Sequence, residues 1–324
     1  MKIKKASPGL DPRNRLGAVL GEGFVVEDYD PARPLRDQVA DAHVLVVRDV
    51  AITREVMDAA PQLRLIQRPG DHLPKIDLDH ARARKIVVSR FPSAIQGRPA
   101  GDVAEHAFYL LLALAKRQWL ARETINARKV GLPKTTRVHG KTLGLIGLGN
   151  TGEALARLAV PFGMRVISVK RTADDALAAS LGLAWLGTMD RLPQLLAESD
   201  FISLHLPQNA STVDFIGARE IAQMKRGAFL VNISRAPMLN RAALLEALRS
   251  GQLGGAGLDV WWGEPMDPAD PLLELPQVIA TPHIAADTAE TEQRLAELTA
   301  ENVRRIARGE TPNYVVGVDV DAGT

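Results

Sequence analysis

The sequence predicts an α/β protein of two domains, one of them a doubly wound parallel sheet. Three observations carry this. Short apolar runs alternate with helical patterns along most of the chain, the arrangement in which helices cross over between parallel strands. One of those runs, residues 143–152 (LGLIGLGNTG), passes straight into a glycine-rich turn and then a helical pattern. The length, 324 residues, also exceeds what one core usually organises, at roughly 100–200 residues per domain.

In the first hundred residues Val44–Val47 reads as a buried strand, and Thr53 can cap a helix running to Ala60. Leu63–Ile66 and Lys85–Val88 are further strands. The N-terminal MKIKK is basic, but ASPGLDPRNR follows it in place of an apolar segment, so no secretory signal is expected. Asp102 to Arg117 is a long helix with a nearly continuous apolar face. Residues 118–141 are polar and basic, with Gly131, Pro133 and Gly140, and read as an arm or linker into a new unit.

From Lys141 the alternation becomes regular. Strands are expected at Leu143–Gly147, Arg165–Val169, Phe201–Leu206, Phe229–Ile233, Gly255–Val260 and Val278–Thr281. Helical patterns lie between most of them, Asn240–Ser250 among these. Six strands fit a doubly wound sheet. One more helical pattern runs from Thr288 to about Arg308, before a tail too short to fold alone. That tail is expected to return to the first domain. Domain one would then cover 1–101 and 288–324, domain two 102–287, with two helices as the hinge.

Composition narrows the function classes. Hydrophobic residues at 46% and charged residues at 24% match a soluble globular protein, which argues against wholesale disorder or a fibrous repeat. Lys+Arg at 40 against Asp+Glu at 38 is too balanced to suggest nucleic acid or an anionic membrane as partner. Cysteine is absent, excluding disulfides, thiolate chemistry and Cys-ligated zinc; no metal is expected. The longest apolar run, Ala107 to Ala115, is about half of what a bilayer span needs. A cytoplasmic protein acting on a small molecule is the expectation.

The glycine-rich turn suggests which molecule binds. Gly147 can make the tight turn, Gly149 can let the backbone approach a pyrophosphate, and Gly152 can let the helix pack on the strand. Amide N–H groups around Asn150 and Thr151 would face the phosphates, with the helix dipole behind them. The alternative is a glycine turn that serves packing only.

In doubly wound sheets ligands bind outside the carboxyl ends of the strands. Just past three successive strand ends stand Arg235, Glu264 and His283. An arginine can hold a carboxylate with two parallel charge-assisted bonds. An imidazole can take or give a proton near neutrality. A carboxylate beside it would orient the ring and balance its positive charge. Next to a nicotinamide, this trio suits hydride transfer at a carbon bearing a hydroxyl or carbonyl. Three bland readings stand beside it: His205 ends a strand without a partner in the motif and is either structural or a cofactor contact. His106, on the long apolar helix, reads as a packing or capping residue. Trp261 and Trp262 are core or a pocket wall.

The second strand of domain two bears on cofactor choice. In NAD-binding versions an acidic residue at its end accepts hydrogen bonds from the ribose hydroxyls. Here the strand ends in Lys170, Arg171 and Thr172. Two cations and a hydroxyl would welcome a 2′-phosphate, so NADP is expected over NAD. Alternatively both cations face solvent, and Asp174 or Asp175 serves the ribose.

These residues also carry a resemblance. VAEHAFYLLLALAKR, GKTLGLIGLGNTG, HLPQNAST, FLVNISRAPMLNRAALLEAL, GGAGLDVWWGEP and TPHIA occur in the order and spacing of the D-isomer-specific 2-hydroxyacid dehydrogenases, which the chain resembles from about Leu63 to Asn302. The resemblance implies a Rossmann cofactor domain and a smaller flavodoxin-like α/β substrate domain. It implies catalytic roles for Arg235, Glu264 and His283. It also implies cofactor contacts at Asn150, Thr151, Leu206, Pro207, Thr212, Ile233, Ser234, Arg235, Asp259, His283 and Ala285, with Asp259 near the nicotinamide carboxamide. A homodimer formed through the cofactor domain, with residues 118–141 as its arm, is implied as well.

Two segments depart from the family pattern. A Gly-x-Gly loop whose amides bind the substrate carboxylate is replaced by Arg68-Pro69-Gly70-Asp71-His72, with His72 in place of the second glycine. Gly70, Asp71 and His72 join Arg235 and His283 as the expected substrate contacts. PSAIQGRPAGD replaces the usual PGxN pattern before VAEH. The reading is a reductase of 2-oxo acids, with a cleft that closes to exclude water. Two rivals remain open at this point: a cofactor-sensing, corepressor-like binding protein, and a dehydrogenase of a non-carbon substrate such as phosphite.

Overall fold

The computed structural model describes residues 1–7, 11, 13–48, 50–69, 76–92, 95 and 99–317. The chain forms two units, Met1–Pro99 with Asp287–Thr324, and Ala100–Ala286.

The first unit opens with β1 (Lys2–Lys5), α1 (Arg15–Leu20), β2 (Val25–Asp28), β3 (Val44–Val46), α2 (Arg54–Asp58), β4 (Leu65–Arg68), α3 (Leu78–Ala83) and β5 (Val87–Arg90). Its strands form one parallel sheet in the order β2-β1-β3-β4-β5. Ile3, Val44 and Leu65 pack with Leu16 and Leu20 of α1, while Leu45, Ile66 and Val88 pack with Met57 of α2 and Ala81 of α3. Burial on both faces makes such strands read as unbroken apolar runs.

That rule also explains what the sequence hid. β1 carries three lysines and gave no strand pattern. Lys5 is only 2% exposed, its ammonium held by Asp28 at 3.1 Å, and Lys2 pairs with Glu27 and Asp41. Their stems lie along the sheet while acidic partners neutralise the heads. β4 and β5 begin two residues later than expected. Leu63 closes the turn after α2, and Lys85 adopts a φ of 57° in the turn before β5. Both strands then continue through buried polar residues, Gln67, Arg68 and Ser89.

The second unit contains α4 (Pro99–Ala115, its first residue at the boundary), α5 (Ala121–Asn126), β6 (Thr142–Ile146), α6 (Asn150–Ala159), β7 (Arg165–Val169), α7 (Asp175–Leu181) and β8 (Trp185–Gly187). It continues with α8 (Leu192–Glu198), β9 (Phe201–Leu204), α9 (Ala218–Ala222), β10 (Ala228–Asn232), α10 (Arg241–Arg249), β11 (Leu253–Leu258) and β12 (Val278–Ala280). The sheet has seven parallel strands, in the order β12-β11-β10-β9-β6-β7-β8, where six were expected. The additional strand is β8, three residues ending in glycine, too short to show a period. Residues of α4, α6 and α7 pack on one face and residues of α8, α9 and α10 on the other. The strand order reverses between β6 and β9, the crevice where this architecture binds ligands.

Residues 118–141 hold α5 and expose Ile125, Val130 and Leu132. The chain then returns to the first unit as α11 (Ala289–Ala307), capped by the Thr288 hydroxyl, with Ala296, Ala300 and Val303 packed on its sheet. Buried Asn302 joins Gln67, Ser89 and Asn313, fastening the following segment along β5. Among the described residues, no helix is long and apolar enough to cross a membrane, and no acidic or histidine cluster could hold a metal ion.

Candidate active site

All seven strands of the second unit run parallel, so their carboxyl ends lie on one edge. The glycine turn follows β6 there. Gly147 has a φ of 94°, and a Cβ on it would lie 2.7 Å from the carbonyl oxygen of His205. Neither the conformation nor the approach admits a side chain. A Cβ on Gly152 would lie 2.8 Å from the Gly147 carbonyl oxygen, so this glycine lets α6 start hard against the turn. Gly149, the N-cap of α6, differs: a Cβ there would meet nothing within 4 Å. That open space at the start of α6 leaves room for an anion such as a pyrophosphate at the helix N-terminus.

β10, β11 and β12 are neighbours in the sheet, so the loops that leave them emerge side by side. Arg235 follows β10, exposed at the edge. Its loop is shaped by Asn232, fully buried at the strand end. Asn232 accepts the Ser234 N–H at 3.0 Å and donates to the Arg235 carbonyl at 3.0 Å. Glu264 follows β11, and one carboxylate oxygen accepts the Trp261 N–H at 3.2 Å. The other accepts from His283 Nδ1 at 2.8 Å. A carboxylate only accepts, so Nδ1 carries the proton and Nε2 points elsewhere, free to exchange one. His283 follows β12 with a φ of 58°.

Asp259 lies just past β11 and is fully buried. Its carboxylate accepts from the Thr281 hydroxyl at 2.5 Å and from the N–H groups of Ile284 and Ala285 at 2.9 Å each. The Ala285 amide is thus engaged within the protein. His106 Nε2 lies 2.9 Å from Thr281 Oγ1, so this residue is a polar partner of the strand end, where only packing or capping was expected. Burial lowers its pKa below the ordinary histidine value, opposed by the Asp259 charge. Nothing in the sequence paired α4 with the end of β12, which is why Thr281 escaped notice. Asn232 had a signal, a lone polar residue in an apolar strand.

The remaining expected contacts fall around the same edge. Leu206 and Pro207 follow β9, and Thr212 closes that loop, donating to the Pro207 carbonyl at 3.0 Å and accepting the Asn209 N–H at 2.9 Å. The Ser234 hydroxyl donates to the Leu204 carbonyl at 2.7 Å, tying two neighbouring loops, and Ile233 is buried beside it. Trp261 is core, while Trp262 is half-buried with its indole N–H on the Leu239 carbonyl. Lys170, Arg171 and Thr172 follow β7, the last two exposed. Gly70, Asp71 and His72 lie outside the described residues.

His205 sits between the β9 end and the glycine turn, both ring nitrogens buried without a hydrogen-bond partner. Desolvation lowers its pKa to about 4. A histidine held neutral in the fold but ordinary when unfolded gives an unfolded state that binds more protons between pH 6.5 and 4. Stability is therefore expected to fall as pH drops through that window, by on the order of 3 kcal/mol. His205→Gln should flatten that part of the profile in thermal melts at pH 7 and pH 4.5. An equal loss in both proteins would reject it.

Comparison with known proteins matches this geometry to a family. A model of the D-isomer specific 2-hydroxyacid dehydrogenase NAD-binding domain matches residues 108–285. The glyoxylate reductase of Korarchaeum cryptofilum is 37% identical over 286 residues, covering 86% of this chain and 83% of that protein. The D-3-phosphoglycerate dehydrogenase of Mycobacterium leprae is 37% identical over 307 residues; the match takes in 93% of this chain but only 56% of that longer protein. The structure of Aquifex aeolicus D-lactate dehydrogenase complexed with NAD and lactic acid superposes with a TM-score of 0.76. It is 26% identical and covers 99% of this chain and 100% of that one. The chain belongs to the D-isomer specific 2-hydroxyacid dehydrogenases.

Proposed function

We propose that this member of the family interconverts a 2-oxo acid and a 2-hydroxy acid, acting mainly as an NADP(H)-preferring reductase. The observation that carries it is His283, its Nδ1–H fixed on Glu264 at 2.8 Å, at the strand edge that also presents Arg235. In reduction His283 gives its Nε2 proton to the forming alkoxide; in oxidation it takes the hydroxyl proton. Glu264 balances the imidazolium that oxidation leaves behind. Arg235 grips the substrate carboxylate and draws charge from the adjacent carbonyl. When bound, a nicotinamide dinucleotide supplies the hydride or accepts it. Asn150 and Thr151 would hold its pyrophosphate, and the second unit would serve as the cofactor domain, the first as the substrate domain. Exposed Ile125, Val130 and Leu132 support a homodimer built through residues 118–141. Turnover with a panel of 2-oxo acids, glyoxylate and pyruvate included, tests this reading. Clear cofactor binding without turnover of any member would favour a sensor instead.

Lys170 and Arg171 support the NADP preference. Neither side chain has an ion-pair partner among the described residues, and Asp174, the next acid along the chain, accepts the Leu177 N–H as the cap of α7. A charge-assisted bond is worth about 1.5–3 kcal/mol, so each cation on a 2′-phosphate should favour NADPH by about tenfold or more. kcat/KM measured with both cofactors should show that preference, and Lys170→Ala with Arg171→Ala should erase it. A preference for NADH, or undiminished NADPH use by the double variant, would reject it.

A further inference from the structure

The placement of α4 over β11 follows a matched spacing. A Cβ on Gly255 would lie 3.0 Å from Leu114, and one on Gly257 would lie 2.9 Å from Leu110. Four residues back along the helix and two residues on along the strand, His106 meets Asp259, with Nε2 3.6 Å from its carboxylate. Four helical residues rise about 6 Å and two strand residues about 6.6 Å, so the register holds over all three pairs. The two glycines let the helix approach closely, and the approach brings an imidazole to a buried carboxylate.

The hydrogen bonds there have one direction only. Asp259 accepts and cannot donate, so the Thr281 hydroxyl gives it its proton. Thr281 Oγ1 then has only lone pairs left, and His106 must donate through Nε2–H. Neutral or protonated, the imidazole can make that bond. At the other end, Asp259 holds the N–H groups of Ile284 and Ala285. The single carboxylate therefore clamps the chain two residues before His283 and one and two residues after it. His283 itself takes a left-handed backbone, which a non-glycine residue keeps only where its surroundings over-determine it.

We infer that His106 and Thr281 are positioning residues for His283, acting through the Asp259 carboxylate. Neither needs to touch substrate or cofactor. Their effect is to hold the imidazole of His283 against Glu264 and at a fixed height above the strand edge. The kinetic consequence rests on the function proposed above; the structural one does not.

The test uses near-isosteric changes. Thr281→Val removes the hydroxyl and keeps the shape, while Thr281→Ser keeps the hydroxyl. His106→Leu removes the donor, and His106→Gln offers an amide N–H near the same place. Two readouts are taken: kcat and cofactor KM in 2-oxo acid reduction, and the His283 Nδ1–H resonance in protein labelled with 15N-histidine. Thr281→Val is expected to lower kcat on the order of 10- to 100-fold, the penalty of a misplaced reacting group, with cofactor KM within about twofold. Its His283 resonance should broaden or disappear, and Thr281→Ser should restore both. His106→Leu and His106→Gln should repeat the pattern more weakly. An unchanged resonance in Thr281→Val overturns the inference, and so does a loss that Thr281→Ser shares. A wild type that turns over no 2-oxo acid would refute the proposed function, and the resonance alone would then decide the positioning role.

Discussion

His283→Ala is expected to lower kcat for 2-oxo acid reduction by about 10²–10⁴-fold, the usual contribution of a general acid. The expectation depends on where the ring's two nitrogens go. Nδ1–H is fixed on Glu264, which is itself held by the Trp261 amide, so the imidazole can present only Nε2 to a reacting oxygen. Alanine removes the proton donor and leaves Glu264 as an uncompensated carboxylate close to the forming alkoxide. Both changes raise the same barrier. Cofactor affinity should change far less than kcat, because the glycine turn proposed to hold the pyrophosphate follows β6, across the sheet from β12. Steady-state kinetics together with fluorescence titration of NADPH separates the two quantities. Activity within a few-fold of wild type would remove His283 from the proton-transfer role.

The part of this site legible in sequence was the part written locally. The glycine turn announces itself because the tight turn at Gly147 and the helix packing at Gly152 each require a missing Cβ, at fixed offsets after a strand. Arg235, Glu264 and His283 could be picked out as candidates because each follows an apolar run by a few residues, and parallel strands bring their ends to one edge. What stayed hidden depends on contacts across long stretches of chain. His106 and Thr281 are 175 residues apart, and only the packing of α4 on the two glycines of β11 brings them together. β1 was masked for a related reason. A lysine reads as surface until Asp28 and Asp11, residues outside the strand, neutralise it inside the fold. β8 is too short for any periodicity to emerge. Local chemistry is read from sequence; polar burial is decided by partners the sequence does not pair.

Arg235→Lys should be nearly as damaging as a loss of charge, although the charge is kept. Arg235 stands on a loop whose base does not move easily: buried Asn232 bonds both the Ser234 amide and the Arg235 carbonyl, and the Ser234 hydroxyl ties the loop to the end of β9. The guanidinium donates from one arm to the Ser234 carbonyl at 2.7 Å, which leaves its remaining N–H groups to face a ligand. A planar fork on a fixed base matches a carboxylate with two parallel bonds. An ammonium in its place offers a single point charge on a flexible stem, and it loses the bond to Ser234 that sets the side chain's direction. Losing one charge-assisted bond costs about 1.5–3 kcal/mol, or roughly 10- to 150-fold in kcat/KM. The loss should divide between a raised KM for the 2-oxo acid and a lowered kcat. A contact with the substrate carboxylate would already be made in the ground state, whereas the pull on the carbonyl would grow as charge develops. Cofactor KM should stay near wild type, which sets this change apart from general damage to the strand edge. Unaltered kcat and KM for a carboxylate substrate would mean that Arg235 faces solvent throughout the reaction.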